Sequence, residues 1–215
     1  MLQVRNLDVS IKSVSILRGV NLDVPTGKFV GLIGRNGAGK TTLVRSIMGL
    51  LEAKNGSIAF DGQNLERTPT HMRARGGIGY MPEDRRLVPE LTVEENVLMP
   101  AWSSGVKDPS ERLKSVYAMI PEVQQFAQRK ALQLSGGQQK LVALARALMC
   151  GSKMLLLDEP FEGVAPVLAR RLAEVIAKLK EEGLSIVLTE SDLSHSKELL
   201  DLVYLIDRGE VSASD

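Results

Sequence analysis

Glycines, a lysine and two threonines stand close together at positions 34–42, with a spacing that suits phosphate binding. The segment Gly34–Thr42 matches the Gly-x4-Gly-Lys-Thr pattern of a P-loop. It follows the apolar run Phe29–Ile33 and precedes the helical run Leu43–Leu50, the context that the pattern requires. Glycines let backbone N–H groups point inward around phosphate oxygens, and the positive end of the helix adds to the attraction.

The P-loop predicts a site for a nucleoside triphosphate. Lys40 is expected to reach the terminal phosphates, and the Thr41 hydroxyl is expected to bind Mg²⁺. The expected nucleotide-binding residues of this segment are Gly34, Arg35, Asn36, Gly37, Ala38, Gly39, Lys40, Thr41 and Thr42.

Two adjacent carboxylates, Asp158 and Glu159, follow the apolar run Met154–Leu157. Two charges at the mouth of a buried strand are costly unless something there uses them. Asp158 is placed to hold Mg²⁺, directly or through water, and Glu159 is placed to polarise an attacking water. The alternative is a strand that ends in a solvated turn, and the preceding P-loop disfavours it.

A second helix start with the features of an anion site begins at Ser135. Ser135 and Gln138 match a capping box, in which each side chain satisfies a backbone N–H of the other residue. Gly136 and Gly137 are poor helix formers, but their lack of a side chain would let a ligand approach the exposed N–H groups. The alternative is a simple cap with tolerated glycines.

The amino-acid composition is ordinary for a folded protein, and it limits the partners and the cellular compartment that we expect. The net charge of +1 gives no broad attraction to nucleic acid or anionic lipid, so no nucleic-acid partner is expected. The single cysteine cannot form an internal disulfide, which suits a reducing compartment. No apolar stretch approaches the ~20 residues that span a bilayer, and residues 1–5 do not resemble a signal peptide. A cytosolic protein is expected, which leaves open docking on a membrane protein.

Short apolar runs alternate with helical patterns, which predicts an α/β fold with buried parallel strands. The three clearest runs are Phe29–Ile33, Lys153–Leu157 and Ser185–Thr189. Residues 2–24 are expected to form strands and turns. Residues 57–62 are expected to form a strand entering a tight turn, and residues 203–206 a strand entering a hairpin.

Residues 92–133 differ, because their pattern is mostly helical with breaks. Thr92 and Glu95 match a capping box, and Asp108-Pro109 matches a helix start. Trp102–Gly105 is predicted to be a loop between helices. We interpret residues 92–133 as a helical insertion in an α/β domain rather than as a separate folding unit.

The order of these motifs resembles that of the ATP-binding subunits of ABC transporters. After the P-loop come Tyr80–Glu83, then Leu134–Gln138, then Leu155–Pro160, and the resemblance covers essentially the whole chain. It implies a single ABC ATPase domain over residues 1–215. That domain would have the RecA-like parallel-sheet core of P-loop NTPases, an N-terminal antiparallel β subdomain and a helical subdomain at about 92–133. It also implies hydrolysis of ATP with Mg²⁺.

A narrower resemblance is to the branched-chain amino-acid uptake group of this family. It is carried by the P-loop together with Met48–Leu50, Pro82–Arg86, Leu91–Asn96 and Glu162–Pro166. That group serves importers of hydrophobic amino acids, and its relatives handle urea or small organic acids. The sequence does not identify the transported solute, because ATPase subunits do not touch it.

The resemblance also implies partners and a location. ATP held by the P-loop of one subunit would be capped by Ser135–Gly137 of a second ABC ATPase subunit, in a head-to-tail dimer. That second subunit is either the same chain or a paralogue. The helical insertion would face transmembrane permease subunits on the cytoplasmic face of the inner membrane, with a solute-binding protein acting indirectly. A different class, a regulatory ABC module that dimerises on ATP without transport, is disfavoured by the intact Asp158-Glu159 pair.

Three positions depart from the commonest pattern of the family. Ile11 stands where many members stack adenine on an aromatic ring, so apolar contact would replace stacking. Glu83 replaces the usual glutamine, as in the branched-chain group, and is expected to help hold Mg²⁺ through water. Ser191 stands where a histidine is expected to contact the γ-phosphate. His195, four residues further on, is either its displaced partner or, as we favour, a surface histidine on the next helix.

Ser191 leads to a hypothesis about rate. Serine is shorter than histidine and cannot carry a positive charge. Losing a positioned polar group near the transferring phosphoryl can lower the rate ~10²-fold or more. We therefore expect this P-loop site to hydrolyse slowly and a partner ATPase with an intact histidine to do more of the work.

Overall fold

Strands and helices alternate along residues 1–214, the part of the chain that the computed structural model describes. The strands are β1 (Leu2–Ile11), β2 (Val14–Val24), β3 (Phe29–Ile33), β4 (Asn55–Phe60), β5 (Gln63–Asn64), β6 (Ile78–Met81), β7 (Met154–Asp158), β8 (Ser185–Glu190), β9 (Leu202–Asp207) and β10 (Glu210–Ala213). The helices are α1 (Lys40–Ile47), α2 (Thr70–Arg75), α3 (Val93–Ser104), α4 (Pro109–Met119), α5 (Pro121–Gln125), α6 (Gly136–Cys150) and α7 (Pro166–Glu181), with a 3-10 turn at Ala131–Gln133. The predicted α/β fold is confirmed.

The central sheet has six strands in the order β10-β9-β3-β8-β7-β6, and every pair in it except β10–β9 is parallel. Every residue of β3, β7 and β8 is buried, as expected for parallel strands covered on both faces. Ile33 pairs with Glu190, and Asp158 pairs with Thr189. The P-loop and the two predicted carboxylates therefore leave the sheet at the same edge.

A second sheet is antiparallel and has the order β2-β1-β4-β5. Alternate residues of β1 point inward, and Leu2, Val4 and Val9 are almost completely buried. They share one apolar cluster with residues of β3 and α1, among them Leu32 and Leu43. The antiparallel subdomain thus packs directly against the strand and helix that flank the P-loop.

The predicted helical insertion is present as α3, α4, α5 and the 3-10 turn. Thr92 caps α3 with the full reciprocal box to Glu95, and the Asp108 carboxylate accepts the Glu111 N–H at the start of α4. Val97 and Ile120 belong to one apolar cluster with residues of α6 and the central sheet. The insertion therefore shares an apolar core with the α/β part.

The prediction of a loop at Trp102–Gly105 is wrong. Helix α3 continues through Ser104, and the hydroxyls of Ser103 and Ser104 both donate to the Pro100 carbonyl. Serine hydroxyls that bond back along a helix do not interrupt it, although the same residues favour loops elsewhere. Gly105, at φ 65°, is the C-cap, where glycine adopts the left-handed conformation without strain.

Two further boundaries differ from the prediction. Helix α1 spans Lys40–Ile47 rather than reaching Leu50, because Gly49 turns the chain at φ 72°. The segment after β8 is a series of turns rather than the expected helix. Of the helices within residues 1–214, none is both long and apolar enough to cross a membrane.

Candidate active site

The P-loop joins the end of β3 to the start of α1, and glycine is required by its surroundings. A Cβ at Gly34 would collide with the Ile206 carbonyl on β9. Gly39 is the N-cap of α1 at φ 117°, and within residues 1–214 no side chain caps this helix start. The first backbone N–H groups of α1 therefore remain available as anion donors.

A cavity of about 410 Å³ lies against this loop. Around Gly37, at φ 81°, a Cβ would meet no atom within 4 Å, so the loop borders open space. That volume is in the range of small-molecule sites. The lining residues are Ile16, Asn36, Gly37, Gly39, Lys40, Thr41, Thr42, Glu83, Glu159 and Glu162. The structure thus brings most of the predicted P-loop residues together with Glu83 and Glu159.

The Lys40 ammonium points into the loop and is almost completely buried. It donates to the Gly34 carbonyl and, at 3.2 Å, to the Arg35 carbonyl. Its nitrogen also lies 2.9 Å from the Oε1 atom of Glu159. The lysine predicted to reach phosphates is therefore paired with the carboxylate predicted to polarise water.

Asp158 is fully buried at the end of β7 and accepts three hydrogen bonds. Thr41 and Thr189 donate to its Oδ1 atom at 3.1 and 2.8 Å, and Tyr80 donates to its Oδ2 atom at 3.3 Å. Burial raises the pKa of Asp158, against the lowering effect of these hydrogen bonds. Burial and then the Asp158 charge raise the pKa of Tyr80 far above its ordinary value. Thr189 was missed from the sequence, and only its place at the end of a buried strand could have marked it.

The donor set at Thr41 and Asp158 fits Mg²⁺. One hydroxyl and one carboxylate are hard oxygen ligands, and Mg²⁺ is commonly held by one or two carboxylates together with substrate phosphates and water. Within residues 1–214, no group of three or more histidine, cysteine, aspartate or glutamate residues could hold a metal ion by itself. The arrangement therefore suits a metal that arrives with a phosphate ligand.

Glu159 has a backbone φ of 49°, in the left-handed region that non-glycine residues seldom adopt. Its N–H donates to Thr189 Oγ1 at 3.1 Å. Its carbonyl accepts a hydrogen bond from the Lys140 ammonium at 2.7 Å. Such backbone strain persists only where the surroundings fix it, and it concentrates at functional sites. Lys140 carries no motif-level signal in the sequence and was missed.

Ser191 lies where it can contact both the P-loop and the predicted base. Its hydroxyl is 2.9 Å from Asn36 Oδ1 and 3.3 Å from Glu159 Oε1. His195 is exposed, and its ring lies 5.5 Å from the Phe161 ring, in the turns after β8. The surface position expected for His195 is confirmed, whereas the helix expected to carry it is not there.

The Ser135 helix start has the predicted capping box. Ser135 Oγ accepts the Gln138 N–H at 3.3 Å, and the Gln138 side chain accepts the Ser135 N–H at 3.0 Å. Gly136 lines a separate cavity of about 210 Å³, with Glu83, Asp84, Arg85, Lys140, Glu162 and Gly163. In the part of the chain described, the Ser135–Gln138 segment does not reach the P-loop cavity.

Glu83 and Ile11 were both predicted to contact the nucleotide, but only Glu83 lies beside the P-loop cavity. Glu83 follows β6 and borders both cavities, and partial desolvation, then the charges of Glu162, Asp158 and Glu159, raise its pKa. Ile11 ends β1 and is 41% exposed. Among residues 1–214, the lining of the P-loop cavity includes Ile16 and not Ile11.

Comparison with known proteins agrees with this geometry. Residues 17–162 match the family model described as ABC transporter. The high-affinity branched-chain amino acid transport ATP-binding protein BraG of Pseudomonas aeruginosa is 35% identical over 94% of this chain and 87% of its own length. The lipopolysaccharide export system ATP-binding protein LptB of Haemophilus influenzae is 33% identical over 100% of this chain and 90% of its own length.

Solved structures share the same fold. A dimeric ATP-binding cassette in a post-hydrolysis state, bound to ADP and Pi, superposes with a TM-score of 0.89. It is 28% identical and covers 100% of this chain and 98% of its own. The P-loop, the acidic end of β7 and the capped start of α6 thus occur together in a chain that aligns from end to end with such proteins. The chain belongs to the ABC transporter family, as one of its ATP-hydrolysing subunits.

Proposed function

We propose that this subunit powers an importer for branched-chain or other hydrophobic amino acids, or for related small solutes. The proposed ATP hydrolysis rests on the contact of Thr41 with Asp158 at 3.1 Å, beside the Lys40–Glu159 pair at 2.9 Å. The name of the Pseudomonas aeruginosa relative supports the solute class. The domain would extend over residues 1–215 as one ABC ATPase unit.

ATP is the substrate that fits the P-loop cavity. Lys40 and the N–H groups at the start of α1 would bind its phosphates, and Ile11 or Ile16 would meet the base by apolar contact. Thr41 and Asp158 would hold Mg²⁺, and Glu83 would assist through water. When bound, Mg²⁺ offsets the negative charge of the phosphates.

Glu159 is the proposed general base. As the oxygen of a water molecule bonds to the γ-phosphorus, the Glu159 carboxylate accepts the proton of that water. The bond between the γ-phosphorus and the bridging oxygen breaks, and the products are ADP and phosphate. Lys40 and the loop N–H groups stabilise the charge that develops on the phosphoryl oxygens. The Ser191 hydroxyl, 3.3 Å from Glu159 Oε1, is the polar group that would contact the γ-phosphate in this reaction.

We further propose that this site turns over slowly and that a partner ATPase supplies the faster site. Ser191 offers one neutral hydroxyl where a histidine would offer a longer and chargeable donor. The other proposed catalytic and metal-binding side chains are all present, with Lys40 in contact with Glu159 and Thr41 in contact with Asp158. Because the proposed base Glu159 is present and only the polar group at Ser191 is shortened, we expect slow hydrolysis rather than no hydrolysis.

The proposed assembly is a head-to-tail pair of ABC ATPase subunits on the cytoplasmic face of the inner membrane. Ser135–Gln138 would complete the ATP site of the partner subunit, which agrees with the separation of Gly136 from the P-loop cavity within one chain. The helical subdomain would contact the transmembrane permease subunits, and a solute-binding protein would act with them indirectly.

The test is transport by the reconstituted complex. The chain is purified with its membrane subunits and placed in liposomes together with the solute-binding protein. We expect ATP-dependent uptake of radiolabelled leucine or a related solute, and we expect the Glu159→Gln complex to bind ATP without uptake. A complex that hydrolyses ATP but moves none of these solutes would overturn the importer assignment.

Lipid export is a second candidate, because the Haemophilus influenzae relative is named for lipopolysaccharide export and aligns over the whole chain. The same preparation distinguishes the two. Export predicts copurification of membrane subunits that extract a labelled lipid in the presence of ATP, without any solute-binding protein.

A further inference from the structure

Lys140, in the second turn of α6, is an unusual residue for its surroundings. Its side chain is 4% exposed, and its ammonium donates to the Glu159 carbonyl at 2.7 Å. Among residues 1–214 this backbone oxygen is its one hydrogen-bond partner, while the carboxylates of Glu162 and Glu83 line the same cavity and act on it electrostatically. Burying an ammonium group is costly, and here this hydrogen bond and the neighbouring charges offset the cost.

That hydrogen bond fixes one side of a strained residue. Glu159 has φ 49°, and the peptide group on its other side is held by the N–H bond to Thr189. With both peptide groups anchored, the Glu159 carboxylate is directed toward Lys40 and Ser191. The Glu159 carbonyl also accepts the Glu162 N–H at 3.2 Å, within its own turn. The bond from Lys140 is the one that ties this carbonyl to another element, so its loss would leave the carbonyl side held only within the turn and better able to relax.

Lys140 also connects two functional segments. It lies four residues after Gly136 on α6, and both residues line the 210 Å³ cavity, which places them on the same helix face. Further along α6, Arg146 donates to the carbonyls of Arg85 and Arg86, two and three residues after Glu83. The helix that begins at Ser135 is thus fastened both to the Glu83 loop and to the backbone of Glu159.

We propose that Lys140 is a positioning residue for Glu159, and that it links the Ser135–Gln138 helix start to the base of the same subunit. The link between sites rests on the head-to-tail pairing proposed above. In that pair, ATP on the partner's P-loop contacts Ser135–Gln138 of this chain. Any displacement of α6 on contact is passed through Lys140 to Glu159, so hydrolysis at one site responds to ATP at the other.

The test compares Lys140→Met with the wild-type chain in the purified complex with its partner subunits, in which the catalytic glutamate of any paralogous partner ATPase is replaced by glutamine so that turnover reports the site of this chain. Methionine has nearly the same length and no donor, so we expect kcat to fall about tenfold or more while the Kd for ATP stays within about twofold. The Hill coefficient for ATP should fall toward one. Lys140→Arg keeps a donor, and the adjacent cavity gives room for its extra atoms, so it should restore much of the turnover.

The matched control is Arg112→Met. Arg112 is a half-buried cation on α4 that donates to the Leu148 and Gly151 carbonyls at the other end of α6. Its loss should lower the unfolding temperature and leave kcat and the Hill coefficient unchanged. Should Lys140→Met lack a cooperative unfolding transition, Lys140→Leu provides the same comparison with a shorter side chain that likewise has no donor.

The outcomes separate this inference from the proposed function. If the wild-type complex is active and the kcat of Lys140→Met lies within twofold of the wild-type value, the positioning role is overturned. A reduced kcat with an unchanged Hill coefficient would overturn the link between sites. A wild-type complex without any ATP turnover would overturn the proposed function and this inference together.

Discussion

The Lys40 ammonium and the Glu159 carboxylate form an ion pair 2.9 Å apart, and their side chains are only 5% and 7% exposed. We expect a phosphate that enters the loop to compete with Glu159 for the same ammonium. In the proposed mechanism, Lys40 would turn to the phosphate and the Glu159 carboxylate would be left to accept a proton from water. One lysine would then both bind the substrate and release the base.

Glu159→Gln tests this relationship. The amide cannot accept the proton of the attacking water, so turnover should fall by about 10²-fold or more. Lys40 loses its competing anion, so ATP should bind as tightly as to wild type or a few times more tightly. Phosphate release and equilibrium binding of a fluorescent ATP analogue measure the two effects. Persistent turnover would show that Glu159 is not the base.

Ser191→His tests the proposed slow site. A longer donor that can be charged should raise turnover of the isolated chain by about tenfold or more. Ser194→His is the control, since Ser194 is an exposed residue in the same turns whose hydroxyl is bonded to Asp192. Steady-state phosphate release is compared for the three proteins. Fast wild-type turnover that Ser191→His leaves unaffected would contradict the hypothesis.

Gly34→Ala tests the packing of the P-loop against β9. The added methyl group would collide with the Ile206 carbonyl, so the loop or the strand must shift. Overpacking of this kind costs about 1–3 kcal/mol, and a shifted loop should also weaken ATP binding at least tenfold. In Gly183→Ala, at φ 77° with no atom near the new methyl, stability alone should fall. Urea unfolding and nucleotide titration report the two quantities, and unchanged ATP affinity in Gly34→Ala would contradict the prediction.

Glu190 gives a pH-dependent prediction. Burial raises its pKa to about 7 from the ordinary 4.5, the charges of Asp192 and Glu159 add to the rise, and a hydrogen bond from Ser196 opposes it. The folded carboxyl binds its proton more tightly than the unfolded one. Its contribution to stability is therefore complete below about pH 4.5 and is lost as the pH rises through about 7.

Glu190→Gln removes this titration and keeps an acceptor for Ser196. The variant should be more stable than wild type at pH 8, by on the order of 2 kcal/mol, and nearly equal to it at pH 5. Urea midpoints at the two pH values measure the difference. A gain of the same size at both would show that Glu190 does not titrate in this range.

The strands around the P-loop could be predicted because burial on both faces leaves an unbroken apolar run. Phe29–Ile33 is observed within those bounds, and the run Ser185–Thr189 gains only Glu190. Capping boxes at Thr92 and Ser135 were also predictable, since each depends on residues three apart. All the residues that form such a box lie within a few positions of one another, so the sequence alone reveals it.

Contacts between distant segments could not be predicted in the same way. Lys140 meets Glu159 only because α6 and β7 pack together, and nothing near position 140 marks the lysine as special. Thr189 is bonded to Asp158 through the register of two strands. The loop prediction at Trp102–Gly105 failed for the opposite reason. Serines usually indicate a loop, but these serines form hydrogen bonds back to their own helix.

The place of β3 between β8 and β9 has a consequence for biosynthesis. Both neighbours come from the last part of the chain, after the helical insertion and α6. While the ribosome is still making those parts, the P-loop strand has neither pairing partner, and Gly34 lacks the Ile206 carbonyl against which it packs. Nucleotide affinity should therefore emerge only after β8 and β9 have been translated, and a nascent chain stalled before residue 185 should not retain ATP.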